Sequence, residues 1–139
     1  MSFEEKGTWV YLVVTLGTYL AYAGIILGRA DGAPLTEVPY VATMLWTVGI
    51  AVALSILGYI AVAIAKPSEA DKSDARDRDI KRFGEYVGGT VLGIAMVLPL
   101  GLAMAEVDQF WIANAMYAAF TLSALVGTCV RLVAYRRGL

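Results

Sequence analysis

Very few residues in this sequence have side chains that could do catalytic chemistry. The 139 residues include no histidine and a single cysteine, Cys129, which lies within an apolar stretch. A lone cysteine in apolar surroundings behaves as a small hydrophobic residue and cannot form a disulfide within the chain. The sequence offers no nucleophile with a neighbouring base, no metal-ligand set and no phosphate-binding glycine loop. We therefore predict a protein that is not an enzyme and that uses no cofactor or metal.

Glu85 and Arg131 are the ionisable residues that come nearest to the interior of the long apolar stretches. Ionisable groups inside a membrane span are costly, so both are candidate functional residues. In the first interpretation, Glu85 pairs with Lys81 or Arg82 on its own helix. Arg131 then extends its long side chain to the lipid headgroups. In the second, Glu85 and Arg131 meet between two spans and form a latch. In the third, Glu85 carries a proton or cation.

The elements that position these residues are four long apolar blocks. A hydrophobic content of 59% and a mean hydropathy of +0.67 are too high for an ordinary water-soluble domain. A bilayer core of about 30 Å needs about 20 helical residues, and each block reaches that length. The first block is longer than the apolar part of a signal peptide and follows two acids rather than basic residues. The sequence predicts an all-α integral membrane protein, a compact four-helix bundle in a single domain over residues 1–139, with spans at about 8–28, 39–65, 83–105 and 110–130.

Basic residues are concentrated on one side of the predicted spans. Of the eleven Lys and Arg residues, only Arg29 lies in a loop on the other side. Loops with an excess of Lys and Arg are cytoplasmic, so we predict that both termini and the loop between the second and third spans face the cytoplasm. The short loops on the opposite side carry four acids, which we interpret as solvated: Asp31, Glu37, Glu106 and Asp108.

A highly charged segment precedes the third span. We predict a short cytoplasmic helix at about 68–82, because Ser68 follows Pro67 in a capping-type start. Its charges have both signs, which argues against direct nucleic-acid binding. The segment is either a solvated extension without a partner or a docking surface for a cytosolic protein. The candidate docking residues are Asp74, Arg76, Asp77, Arg78, Lys81 and Arg82.

The second half of the chain resembles a known family. The pattern Asp74-x-Arg76-Asp77-x-x-Ile80-x-x-x-Gly84 enters the third span, and the segments FWIANAMYAAF and VRLVAYRRG follow. Together they resemble an uncharacterised family of small four-span bacterial membrane proteins that are often encoded beside a helix-turn-helix regulator. The resemblance implies the bacterial cytoplasmic membrane as the location and a cytosolic regulatory protein as a partner.

Small residues recur at helical spacing in three of the spans. In a bilayer, helices associate where small residues let two backbones approach, so these stripes are candidate packing faces. They exceed what one loosely packed bundle needs, and we predict a homo-oligomer, most simply a twofold dimer. The alternative is that every stripe packs within one chain. The candidate packing residues are Gly17, Ala21, Gly24 and Gly28 in span one; Gly84, Gly88, Gly89 and Gly93 in span three; and Ala115, Ala119, Ser123 and Gly127 in span four.

Three further features concern how the spans are built and related. Pro99 leaves a carbonyl without its helical partner and predicts a kink in the third span. Asn114 is expected to bond a neighbouring helix, with Thr43 as one candidate partner. The two halves of the chain each predict a hairpin of two spans, which suggests two parallel hairpins related by an axis along the membrane normal.

Two functions are consistent with the sequence. The first is a non-enzymatic interaction or regulatory bundle that sits among membrane lipids and presents its charged helix to a partner. The second is a small homo-oligomeric channel or transporter for an ion or small molecule, for which Glu85 would be the carrier residue.

Overall fold

The computed structural model describes residues 2–65 and 75–138 of the chain. The helices are α1 (Phe3–Ala30), α2 (Val41–Ala65), α3 (Ala75–Ala95), α4 (Val97–Met104) and α5 (Gln109–Arg137), with a short 3-10 helix at Leu35–Glu37. No strand occurs in the described ranges. Asp74 and the beginning of the predicted charged helix lie outside the described residues.

The prediction of four apolar helices is confirmed. α1, α2, the combined α3 and α4, and α5 are each long and apolar enough to cross a membrane. Large apolar side chains point outward, and Leu45, Trp46 and Ile64 of α2 are each at least two-thirds exposed. The most apolar stretch of α2 contains no buried residue at all. Water cannot solvate such a surface favourably, whereas lipid tails can.

Polar side chains and a glycine define where two of the helices begin and end. The Ser2 hydroxyl accepts a hydrogen bond from the Glu5 amide at 3.1 Å at the start of α1. The Asp108 carboxylate accepts one from the Phe110 amide at 2.9 Å at the start of α5. Both bonds satisfy backbone donors that have no partner within the helix. α5 ends at Arg137 and is capped by Gly138, whose φ of 72° is the left-handed conformation that glycine adopts without strain.

Pro99 divides the third span, as the sequence predicts. α3 ends at Ala95, and α4 begins at Val97. Proline cannot donate to the carbonyl four residues earlier, and its ring crowds that carbonyl, which here belongs to Ala95. The Met96 amide still bonds Leu92, and the Leu100 amide bonds Met96, so the interruption is confined to one turn.

The helices pack in the order α2, α1, α5, α3, with α4 also lying on α5. α1 contacts both α2 and α5, and α5 contacts both α1 and α3. Within the described ranges, α2 and α3 share no comparable interface. α1 and α5 therefore lie in the middle of the described arrangement, and the compact bundle and the twofold pair of hairpins stay predictions. A twofold pair of hairpins would pair α2 with α3 whenever it pairs α1 with α5, and among the described residues only the α1–α5 contact is extensive.

Tyrosines and an asparagine hold the end of the molecule that carries the 31–40 and 105–108 loops, which we term the loop end. Tyr22 and Phe110 are buried there in a small apolar cluster. The Tyr22 hydroxyl donates to the Asn114 side-chain oxygen, which joins α1 to α5. Asn114 therefore bonds a neighbouring helix, but its partner is not Thr43. Thr43 instead accepts a 2.6 Å hydrogen bond from the guanidinium of Arg29.

Candidate functional site

Most charged side chains of the described chain lie at the opposite end of the molecule, which we term the terminal end. It contains the first turns of α1, the last turns of α2 and α5, and the start of α3. These segments contribute Glu4, Glu5, Lys81, Glu85, Arg131 and Arg136. The terminal end also holds the tightest helix pair in the molecule, and the geometry of that pair determines where Arg131 lies.

Glycines bring α3 and α5 into backbone contact. A Cβ atom on Gly88 would lie 3.1 Å from the carbonyl oxygen of Ser123, and a Cβ on Gly127 would lie 2.8 Å from that of Gly84. The Ser123 hydroxyl donates a 2.6 Å hydrogen bond to the Gly88 carbonyl. Such close approach increases van der Waals contact, which lipid cannot supply between helices. Of the candidate packing residues, Gly84 and Gly88 of span three thus pack on Ser123 and Gly127 of span four.

Arg131 lies across Gly84, one turn beyond this contact. A side chain at position 84 would overlap the Arg131 Cγ and would lie 2.6 Å from its Cδ. The Arg131 Nε is buried and has no hydrogen-bond partner among the residues that the structure describes. An unpaired buried donor of a charged group is costly, so this position favours an anionic or polar ligand.

Glu85 and Arg131 are brought to the same place but do not form a pair. Both line a cavity of about 390 Å³ between α1, α3 and α5, which we term the α3 cavity. No ion pair joins them in residues 2–65 and 75–138. Glu85 is exposed, and Arg131 is half-buried with its stem over Gly84. The latch and carrier roles both remain predictions.

A second cavity lies beside the first, on the α2 side of Arg131. This α2 cavity has a volume of about 430 Å³, and its charged lining residues are Glu4, Lys81 and Arg131. Tyr59 closes one wall: its ring packs edge-on against Phe3 with centroids 4.8 Å apart, and its hydroxyl donates to the Glu4 carboxylate at 3.4 Å. α1, α3 and α5 therefore each direct one charged side chain to this cavity, and α2 contributes uncharged residues.

An apolar cavity continues from the α2 cavity toward the loop end. It has a volume of about 700 Å³ and lies between α2 and α5, with α1 as its floor; we term it the lateral groove. Its walls include Val48 and Val52 of α2 and Met116 and Phe120 of α5. The two walls are joined near one end by a 3.2 Å hydrogen bond from the Tyr117 hydroxyl to Thr47.

An ion pair that the sequence did not predict joins α1 to α5. The Glu5 carboxylate lies 3.1 Å from the Arg136 Nε, and the side chains are 10% and 62% exposed, respectively. In the sequence, Glu4 and Glu5 indicated only that the first apolar block is not a signal peptide. The available signal was an acid on a largely apolar helix together with basic residues at the far end of the chain.

The described part of the candidate docking helix is anchored at two points. The Arg76 guanidinium donates to the carbonyls of Ala134 and Tyr135 at 3.3 and 3.2 Å, close to the negative end of α5. Ile80 is buried. Asp77 is half-buried, and the remaining charged residues of this turn are exposed: Arg78, Asp79, Lys81 and Arg82.

The other candidate packing residues of α1 and α3 face outward. In α1 the entire stripe is exposed, and a Cβ atom at Gly17, Gly24 or Gly28 would meet nothing within 4 Å. The same holds for Gly89 and Gly93 on α3. In α5, Ala119 is buried and Ala115 and Ser123 are half-buried. The structure thus separates stripes that pack within the chain from stripes that do not.

Two other features bear on the chemistry available to this chain. Within the described ranges, no three His, Cys, Asp or Glu residues are grouped so that they could hold a metal ion. Cys129 is exposed on α5. At the terminal end, the cations Lys81 and Arg131 line one cavity together with the carboxylate of Glu4.

Comparison with known proteins identifies a family. A family model described as a domain of unknown function (DUF4395) matches residues 7–137, nearly the whole chain. No curated protein and no solved structure gives a significant match. An uncharacterised family agrees with the resemblance carried by the second half of the chain, and the association with a regulator stays a prediction.

Proposed function

This chain belongs to the family described as a domain of unknown function (DUF4395), and on that premise we propose that it is a non-enzymatic, multi-pass membrane protein that presents the start of α3 to a cytosolic regulatory protein. In this proposal it resides in a bacterial cytoplasmic membrane with the terminal end facing the cytoplasm. It needs no cofactor and does not bind nucleic acid directly. The four apolar helices and the excess of basic residues at the terminal end support this placement.

The observation that carries the proposal is that the start of α3 is both exposed and held in place. Arg78, Asp79 and Arg82 are exposed to solvent, while Ile80 is buried and Arg76 bonds the end of α5. A helix fixed before binding loses less conformational entropy when a partner docks. Its mixed charges fit an acidic and basic protein surface better than a polyanion.

A charge reversal at Arg82 tests this proposal. Arg82→Glu should weaken binding of the cytosolic partner, because it places a like charge opposite the acid that Arg82 would meet. Affinity capture of the tagged full chain, followed by titration of the purified captured protein, gives the measurement. Arg137→Glu is the matched control, since Arg137 is also an exposed arginine at the terminal end. Unchanged affinity in Arg82→Glu would reject docking at this surface.

The proposal includes a homo-oligomer, with the exposed stripe of α1 as the interface. Gly17, Ala21, Gly24 and Gly28 form a small-residue stripe that is exposed along its full length among the described residues. The span-three stripe is the other candidate, but Gly84 and Gly88 already pack against α5. A twofold axis parallel to α1 and next to the stripe would pack the stripes of two copies against each other.

A transport function is the second candidate, and one observation favours it: Glu85 and Arg131 line the same cavity. In this alternative, Glu85 carries a proton or cation. Carrier acids usually lie deeper in the membrane, whereas Glu85 lies only three residues beyond Arg82.

Flux assays distinguish the two candidates. Proteoliposomes carrying the wild type should show substrate-driven proton or cation flux only if the chain transports. Glu85→Gln should then abolish that flux, and Glu106→Gln, at an exposed acid of the loop end, should not. Absence of flux in the wild type under a proton gradient and under a cation gradient would reject transport and leave the docking proposal intact.

A further inference from the structure

We infer that the α2 cavity and the lateral groove together form a binding site for an anionic phospholipid. Its phosphate would lie at Arg131 and Lys81, and one acyl chain would lie between α2 and α5. This inference shares Lys81 with the candidate docking residues and Arg131 with the transport alternative, but it requires neither a cytosolic partner nor proton or cation exchange at Glu85.

The two cavities adjoin each other, and in this inference they form the path of one ligand. Tyr11, Ser55 and Ile56 line both the α2 cavity and the lateral groove. The path begins among charged side chains and continues between aliphatic and aromatic ones. A molecule with an anionic headgroup and an apolar tail would match charged side chains at one end and apolar side chains along the rest.

The groove is about as long as an acyl chain. Its α2 wall runs from Met44 to Ile56, a distance of about 18 Å at about 1.5 Å per helical residue. One leaflet of a bilayer contributes about 15 Å of hydrocarbon. Val48, Val52 and Phe120 supply apolar contacts along this length. A small soluble anion would leave these walls uncovered.

The charges at the mouth favour a phosphate. Arg131 and Lys81 are cationic, and the Arg131 Nε has no partner in the described part of the chain. Glu4 also lines this cavity, and its carboxylate accepts the Tyr59 hydroxyl. Glu85 faces Arg131 from the α3 cavity. At the α2 cavity itself two cations face one carboxylate, and a guanidinium binds phosphate oxygens with particularly favourable geometry.

The arrangement of the helices lets a lipid reach this site without leaving the bilayer. α2 packs on α1, and the described residues of α2 and α3 form no comparable interface. The α2 cavity lies in the gap between them, because its lining includes Tyr59 and Ile60 of α2 and Lys81 of α3. Among residues 2–65 and 75–138, no helix interface therefore separates this cavity from the membrane on the side between α2 and α3.

Native mass spectrometry of the full chain tests the inference. The protein is released from nanodiscs that contain phosphatidylglycerol and phosphatidylcholine in equal amounts. The wild type should retain phosphatidylglycerol preferentially. The double variant Arg131→Gln/Lys81→Gln should lose at least about tenfold in affinity for it, because charged hydrogen bonds to the phosphate are removed. Arg137→Gln is the control for charge alone.

A second variant tests the acyl chain separately. Ala51→Phe places a ring in the groove, since Ala51 lies in its lining, and should lower retention of phosphatidylglycerol. Leu45→Phe, on an exposed face of α2, should not. If the double variant fails to fold, Lys81→Gln and Ala51→Phe still decide the outcome.

Three results would overturn the inference. The first is equal retention of phosphatidylglycerol by the wild type and by either Ala51→Phe or the double variant Arg131→Gln/Lys81→Gln. The second is full displacement of the lipid by glycerol phosphate at equal concentration, which would show a site for a free anion. The third is a change of oligomeric state in Ala51→Phe without loss of lipid, which would show that a second copy of the chain covers the groove.

Discussion

Gly127 of α5 lies directly against Gly84 of α3. A Cβ atom added to Gly127 would be 2.8 Å from the Gly84 carbonyl oxygen and 3.5 Å from the Gly88 Cα. All three neighbours of such a Cβ are backbone atoms, which cannot move aside as the end of a side chain can. The α3–α5 contact is therefore the least adaptable joint in the molecule, and it also carries Arg131 at its edge.

Adding one methyl group at this joint should destabilise the protein. We expect Gly127→Ala to force α3 and α5 apart and to lower the free energy of unfolding by about 1–3 kcal/mol, the usual range for overpacking. Chemical unfolding in detergent micelles, followed by circular dichroism, provides the measurement. Gly49→Ala in α2 is the control, because a Cβ there meets nothing within 4 Å. Equal stability of the two variants would show that the joint is looser than the structure indicates.

The sequence predicted the individual helices better than the contacts between them. A helix of the required length and hydropathy is a local property, so the four apolar helices and the interruption near Pro99 followed from the residues alone. Small-residue spacing identifies a face but not what that face meets. Gly88 and Gly24 belong to stripes of the same kind, yet Gly88 packs on α5 and Gly24 meets nothing within 4 Å.

Contacts between helices depend on their rotation and order, which the sequence does not fix. Asn114 was correctly expected to bond another helix, but α1 rather than α2 is its neighbour at that depth, so Tyr22 is the partner. The pairing of Glu5 with Arg136 requires α1 and α5 to be adjacent. For the same reason, the cavities around Arg131 could not be predicted, because they lie between helices that are far apart in the sequence.

Removing the Tyr22 hydroxyl should weaken the loop end by a measurable but limited amount. Tyr22→Phe keeps the ring contacts of Tyr22 with Tyr117 and loses the hydrogen bond to Asn114. Interhelical hydrogen bonds in membranes contribute about 0.6 kcal/mol on average and about 1.7 kcal/mol at most. We expect a loss within that range by unfolding in detergent. Tyr86→Phe, at an exposed tyrosine of α3, should be neutral; a loss of the same size there would mean that the effect is not specific to this bond.

The ion pair between Glu5 and Arg136 should show a small, salt-dependent coupling. Arg136 is 62% exposed, so solvent screens the pair even though Glu5 is only 10% exposed. A double-mutant cycle of Glu5→Gln and Arg136→Gln should give a coupling energy of about 0.2–1 kcal/mol that decreases at high salt. The single variant Glu5→Gln leaves Arg136 in water, whereas Arg136→Gln leaves a mostly buried carboxylate without its cation. We therefore expect Arg136→Gln to be the more destabilising of the two, and the reverse order would show that Glu5 has another stabilising partner.

The two exposed glycine faces give the oligomer prediction a discriminating test. Gly24→Leu puts a large side chain in the middle of the α1 stripe, and Gly93→Leu does the same on α3. Neither should clash within the chain, since a Cβ at either position meets nothing within 4 Å. If the α1 stripes of two copies pack together, Gly24→Leu should convert the dimer to a monomer because the backbones can no longer approach. Gly93→Leu should remain dimeric. Light scattering of the purified protein in detergent measures both masses, with circular dichroism confirming that each variant keeps its helices. A monomer in Gly93→Leu alone would place the interface on α3 instead, and a monomeric wild type would reject the dimer.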